Sequence, residues 1–263
     1  MIRVYLTHGV VRNFDRSRLV HRNLLDRDVF VAHLRSRNQP YVPLERALRG
    51  EGDALTVDDA THSGAEAARL ARENGHAVTF FINPWHVAEA RPYAPALLNA
   101  FFDTASSIRF RGMEWPGTAE GKRAAREELK KAIRAAKTGE EQERVIEESA
   151  RESGVAIQLP PHLETLSTGD VRELQEIGVD IRNHGWMHLH HDVLTPEEKE
   201  RNISAGEEWL RHEYDVESDD FAVPWGIERD RLRDHGVWYL FDLSAPPGFF
   251  GEGLVNREDL LLS

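Results

Sequence analysis

Cysteine is absent from this sequence, which excludes disulfides and any thiolate-held metal. A metal site in this chain must use His, Asp or Glu. The absence leaves the compartment open, because cytoplasmic and periplasmic proteins alike do without cysteine. No apolar run approaches the roughly 20 residues of a membrane span. Met1 to His8 lacks a basic segment followed by an apolar one, so no signal peptide is read there and a cytoplasmic protein is expected. Positive charge is in deficit: 33 Lys and Arg face 45 Asp and Glu, a net charge of -12. Phosphate binding needs a basic face, so nucleic acid is not an expected partner. The 263 residues are 40% apolar and 30% charged, enough for one large α/β domain or two small ones with a sizeable core.

Strand-like and helix-like stretches alternate along the chain. Ile2 to Leu6 reads as a strand ending at Thr7-His8-Gly9, and Arg27 to Ser36 as a helix. Tyr41 to Arg49 is a short connection leading into a helix. Ala54 to Val57 reads as a buried strand, Ser63 to Asn74 as a helix with Ser63 as its N-cap and Gly75 beyond its end. Ala77 to Ile82 is the next strand, and this order implies parallel neighbours joined by a right-handed crossover. Thr168 to Ile177 is helical and Val179 to Asn183 a strand. Thr195-Pro196-Glu197-Glu198 is a strong helix start, with Thr as N-cap, Pro at the first position and Glu at the third; that helix runs to about Tyr214. Phe221 to Gly226 is a strand leaving into a turn. Arg229 to Asp234 is helical and Trp238 to Phe241 a strand. Gly121 to Ala150 differs, being rich in Glu, Lys, Arg and Ala, with apolar Leu129, Ile133, Val145 and Ile146. It reads as one or two helices broken near Thr138-Gly139. A solvated helical insertion is the plain expectation, and a lid or dimer contact over the site the sharper one. The alternation suits an α/β barrel or a doubly wound sheet.

Two stretches carry chemistry. Asn183-His184-Gly185-Trp186-Met187-His188 supplies histidines at i and i+4, and Thr56-Val57-Asp58-Asp59 supplies adjacent carboxylates at the end of a strand. The i, i+4 pair can aim both imidazoles at one point, and a carboxylate from another element can complete three ligands. Three ligands leave a position open for water, as catalytic zinc-type sites do. Alone, each half has an ordinary reading: adjacent aspartates cap helices or sit in loops, and His-x-x-x-His on a turn is usually incidental. Their joint occurrence after strands makes a hydrolase the leading reading.

The order Asp-Asp after a strand, His-x-x-x-His after a later one, then a Pro-x-Gly turn resembles the NodB-type polysaccharide deacetylases, similar to carbohydrate esterase family 4. Leu55-Thr56-Val57-Asp58-Asp59 is similar to the family's first motif, Thr79-Phe80-Phe81-Ile82 to a recurring strand, His184-Gly185-Trp186-Met187-His188 to the second motif, and Val223-Pro224-Trp225-Gly226 to the third. Tyr5 to Val10 is similar to its entry strand. The resemblance implies a distorted (β/α) barrel and a divalent metal, expected to be zinc, held by Asp59, His184 and His188. It makes Asp58 the general base and the backbone N–H of Trp225 the oxyanion donor. Such a metal would polarise a water and lower its pKa toward ~7.

This chain departs from the pattern in four places. Ala60 stands where the first motif has Gly. Ala222 stands where the third motif has an Arg that orients the base, and no acidic partner for that Arg is evident after Phe241-Asp242-Leu243. Asp58 is therefore expected to lack its arginine. The chain ends Asp259-Leu260-Leu261-Leu262-Ser263 without the histidine that serves the family as general acid. His8, at the end of the entry strand, is the preferred substitute, with His62 and His86 as alternatives. His190 and His191 are expected on the surface. Trp85, Trp115, Trp186 and Trp225 are candidates to stack on a sugar, Trp225 first. Each also has a plain reading as a core or rim aromatic.

The expectation is one catalytic domain over residues 1–263, with a helical insertion at about 105–165. It would remove an N-acetyl or similar acyl group from an amino sugar or saccharide precursor, with a homo-oligomer possible. The rivals are a deformylase or other amide hydrolase of the same fold, and a non-catalytic carbohydrate-binding protein, which the missing Arg and His motivate.

Overall fold

A computed structural model of the chain describes residues 3–12, 24–217, 220–225, 238–241, 248–249 and 254–260. The N-terminal half contains β1 (Arg3–Thr7), β2 (Gly9–Val11), β3 (Leu24–Asp26), α1 (Arg27–Ser36), α2 (Leu44–Leu48), β4 (Asp53–Asp58), α3 (His62–Glu73), β5 (Thr79–Ile82), α4 (Pro84–Ala88) and α5 (Ala94–Thr104). A hairpin of β6 (Ser107–Phe110) and β7 (Met113–Pro116) leads to α6 (Ala119–Arg134) and α7 (Gly139–Glu152). Then come α8 (Thr168–Glu176), β8 (Asp180–Asn183), α9 (Pro196–Tyr214), β9 (Asp220–Ala222), β10 (Trp238–Phe241), β11 (Gly248–Phe249), β12 (Leu254–Asn256) and β13 (Glu258–Asp259).

Nine strands form one sheet in the order β11-β12-β10-β9-β8-β5-β4-β1-β13. Every pairing in it is parallel except β11 with β12. Parallel strands need crossovers, and helices on the outer face bury them on both sides; all four residues of β5 are buried accordingly. β12 lies second from one end of this order and β13 at the other end, yet one residue, Arg257, separates them in sequence. Consecutive Cα atoms are about 3.8 Å apart, so the two ends of the sheet must come together there. The sheet is thus curled into the distorted (β/α) barrel that the sequence resemblance implied, and Arg257 sits at its seam.

Local chemistry sets the helix starts. Thr195 and Glu198 form a reciprocal capping box at α9, with Pro196 in the first turn, as its sequence predicts. Ser167 and Asp170 do the same for α8. At α3 the N-cap is Thr61, whose side chain accepts from the Gly64 N–H, and not Ser63. Ser63 is buried, with its hydroxyl 3.0 Å from that of Thr61. Helix α5 has no sequence counterpart above, because eight of its residues are buried and no polar face marks its period. The expected helix over 229–234 lies outside the described residues.

The charged segment is not a solvated appendage. Leu129, Ile133, Val145 and Ile146 are buried, in a second core with Phe101, Phe102, Ile108 and Phe110. Helices α6 and α7 flank a break at 135–138 and turn most of their Glu, Lys and Arg away from that core, while Arg126 and Glu143 are buried.

Candidate active site

Strand β4 ends at Asp58, and the backbone turns sharply at Asp59, whose φ is +61°. That left-handed turn sends the two carboxylates to different partners. Both Asp58 and Asp59 are buried. The turn is held by Tyr93, whose hydroxyl oxygen accepts from the N–H groups of Ala60 (2.8 Å) and Asn83 (3.3 Å). Tyr93 therefore ties the exit of β4 to the exit of β5.

Asp58 meets Arg257. The guanidinium donates from Nη1 to Oδ1 at 2.7 Å and from Nη2 to Oδ2 at 2.6 Å, with both side chains essentially inaccessible. Burial by itself would raise the Asp58 pKa. The Arg257 charge, followed by His184, outweighs it and holds the carboxyl below its ordinary value. The expectation that Asp58 lacks an arginine is thus corrected. Ala222 does occupy the family's Arg position, but the cation arrives from the barrel seam, 199 residues along the chain from Asp58.

Strand β8 delivers His184. Its Nδ1 donates to the Ala222 carbonyl at 2.8 Å, since a carbonyl can only accept. That fixes the tautomer and leaves the Nε2 lone pair facing Asp58 (3.7 Å) and Asp59 (3.8 Å). The loop then passes Gly185, where a Cβ would lie 2.6 Å from Asn202 Nδ2 and φ is +81°. Asn83 Nδ2 donates to the Gly185 carbonyl at 2.8 Å. His188 comes next, at φ +45°, with Nε2 3.4 Å from Asp59 Oδ1. Its carbonyl accepts from Gln142 Nε2 of α7 (3.2 Å) and from the Trp225 indole N–H (3.0 Å). Asp59, His188 and Trp225 (φ +65°) are all non-glycine residues held at positive φ. Such conformations cost on the order of 1–3 kcal/mol each and persist where surrounding contacts enforce them.

Ligand atoms of Asp59, His184 and His188 lie within 4.8 Å of one another. Among the described residues this is the one such group. Burial lowers the pKa of His184, and burial reinforced by the neighbouring His184 lowers that of His188 well below its usual value. Both rings are therefore neutral lone-pair donors, as divalent metal ligands must be. Two neutral nitrogens and one carboxylate oxygen, all from buried side chains, fit a divalent cation.

Residues 145–237 match the family model described as polysaccharide deacetylase. The structure aligns over 99% of this chain and 92% of the other with the deacetylase PplD of Streptococcus pyogenes, solved with acetate, at a TM-score of 0.62 and 11% identity. A polysaccharide deacetylase from Bacillus cereus aligns over 98% of this chain and 64% of its own, at TM-score 0.58 and 13% identity. IcaB from Ammonifex degensii aligns over 98% and 94%, at 0.54 and 14%. The chain has the polysaccharide deacetylase fold. No curated protein gives a significant sequence match.

Within this deacetylase-like barrel the other candidates sort themselves. His8 is half-buried between β1 and β2, and its charge acts on both Asp58 and His188. His62 opens α3 and acts instead on Asp170. His86 is buried and stacked on Tyr93 at 4.2 Å; burial holds its pKa at about 3, so it carries no proton to give near neutrality. His190 is half-buried. His191, expected on the surface, is fully buried, stacked on Phe221 and 3.2 Å from Asn202. Trp85 is a core residue packed against Gly139, which removes it as a sugar platform. Trp115 packs on the second core. Trp225 lies beside His188, ring centroids 5.2 Å apart. Sequence reasoning missed Arg257, Tyr93 and Gln142. None carries a local signal, because each acts across a long sequence separation.

Proposed function

We propose that this protein is a metal-dependent hydrolase that removes an N-acetyl group from an amino sugar or related saccharide. The observation that carries the reading is the buried juxtaposition of a clamped carboxylate, Asp58, with the three-ligand set Asp59, His184 and His188. A divalent ion held by those three, zinc first by donor chemistry, would supply Lewis-acid polarisation of water and of the amide carbonyl.

The remaining roles fall to this chain's side chains. Asp58 takes the proton of the attacking water as general base. Arg257 occupies both its oxygens in one plane, which fixes where the remaining lone pairs point and keeps the base ionised. The backbone N–H of Trp225 donates to the developing oxyanion. His8 gives a proton to the departing amine, being the histidine between β1 and β2 that acts on both Asp58 and His188 and is not one of the three ligands. The Trp225 ring forms a wall of the sugar site. Arg257 also removes one of the two reasons for a non-catalytic carbohydrate-binding reading, since the base keeps its arginine.

The test is acetate release from N-acetylated oligosaccharides by zinc-loaded protein, before and after chelation and zinc return. Release that stops with chelation and resumes with zinc supports the reading. Undiminished release by metal-free protein would sink it. Formate released in place of acetate would favour the deformylase alternative.

A further inference from the structure

Arg134 is the last residue of α6. Lys131 pairs with Glu128, Lys137 with Glu198, Arg144 with Glu141 and Arg111 with Glu148. No carboxylate among the described residues pairs with Arg134, in a chain with 12 more acidic than basic residues. Its Nε is buried with no hydrogen-bond partner. Its guanidinium lies over the Trp225 ring, 5.4 Å from the centroid, and that ring lies 5.2 Å from the His188 ring. These contacts in series put the guanidinium within the sum of the two distances from a metal-ligand imidazole. A position in the last turn of α6 suits a cation, but does not account for its reach to Trp225.

We propose that Arg134 is a specificity-determining residue that binds an oxyanion, a carboxylate or phosphate, on the substrate beside the N-acetylated sugar. The inference rests on the deacetylase reading and deepens it: the preferred substrate is an acidic saccharide. The donors of a guanidinium match the oxygens of either group two at a time. Trp225 holds the guanidinium plane by cation–π contact and would present its own ring to the sugar. An acidic protein repels anionic substrates at long range, so a cation at the site that no carboxylate among the described residues neutralises is what would let them in.

The probes are a disaccharide of N-acetylglucosamine and a uronic acid, its neutral glucose counterpart, and N-acetylglucosamine phosphate. Zinc-loaded wild type, Arg134→Gln and Arg134→Lys are compared for acetate release, and for calorimetric binding in an Asp58→Asn background. Wild type should favour an acidic probe over the neutral one by about 10- to 100-fold in kcat/KM, the range of a charge-assisted hydrogen bond. Arg134→Gln should lose that preference mainly through KM, changing the neutral probe by less than about threefold, and Arg134→Lys should keep part of it. The preference should shrink in high salt. Whichever acidic probe shows the effect identifies the oxyanion. Equal kcat/KM for all three probes, or equal losses on all of them in Arg134→Gln, overturns the inference and leaves the deacetylase reading standing. If no probe releases acetate, that reading fails, and the binding arm still decides Arg134: tighter acidic binding abolished by Arg134→Gln upholds it, and indifference to charge rejects it.

Discussion

Replacing Arg257 by Met removes the cation from the barrel seam while keeping most of its volume. Asp58 is then a buried carboxylate without its guanidinium partner. Breaking one side of a buried, doubly hydrogen-bonded pair costs about 3–5 kcal/mol, chiefly through the charge left behind. The cost depends on pH in a direction the structure sets. In the wild type the folded-state pKa of Asp58 is lowered. Its contribution to stability is thus present above the unfolded value of 3.8 and lost as the pH falls through the folded value. In the variant, burial, the largest influence on Asp58, loses its chief opponent and the folded pKa rises above 3.8. Asp58 then destabilises the fold increasingly as the pH climbs from the unfolded value to the raised folded one. Urea unfolding of chelated protein at pH 8 and pH 4.5 should show a loss of about 3–5 kcal/mol at pH 8 and a clearly smaller one at pH 4.5. Adding Asp58→Asn to Arg257→Met should recover part of the pH 8 loss, because no charge is stranded. A loss under about 1 kcal/mol at pH 8, or the same loss at both pH values, would refute the reasoning. The metal-loaded variant should also lose about 100-fold or more in kcat, through misorientation of the base.

Asp59→Ala and His188→Ala should each abolish stoichiometric zinc binding, whereas Asp58→Asn should retain the metal and lose activity; metal analysis beside acetate release reads both. His8→Ala should cut kcat by about 10²- to 10⁴-fold with zinc affinity little changed, and unchanged turnover would remove His8 from the mechanism. His86 and His191 have folded pKa values lowered to about 3, so below pH 6.5 the unfolded chain takes up protons that the fold excludes. Stability should therefore fall by about 1.4 kcal/mol per pH unit for each of them between pH 6 and pH 4. A His191→Gln variant with a flatter stability profile over that interval would confirm its share, and a slope as steep as wild type would contradict it.

Much of the candidate site is legible in the sequence because its chemistry is local. The i, i+4 histidines, the Asp-Asp step at the end of an apolar run and the Thr-Pro-Glu-Glu helix start each depend on neighbours within a turn or a strand end. The alternation of strands and helices likewise reports burial periods that hold segment by segment. Other features have no local trace. α5 is buried nearly all round, so no periodicity distinguishes it from any apolar stretch. The charged segment hides its second core because its few apolar residues are diluted by charges on the outer face. His191 reads as a polar surface residue until Phe221 is stacked on it. Arg257 is one arginine among many in the sequence. It becomes the partner of Asp58 only when β12 and β13 take their places near opposite ends of the sheet order and the seam between them closes. The sequence by itself determined which residues could bind a metal and act as a base. The tertiary structure alone decided which cation holds that base, because pairing two charges in a dry interior depends on barrel closure and not on spacing along the chain.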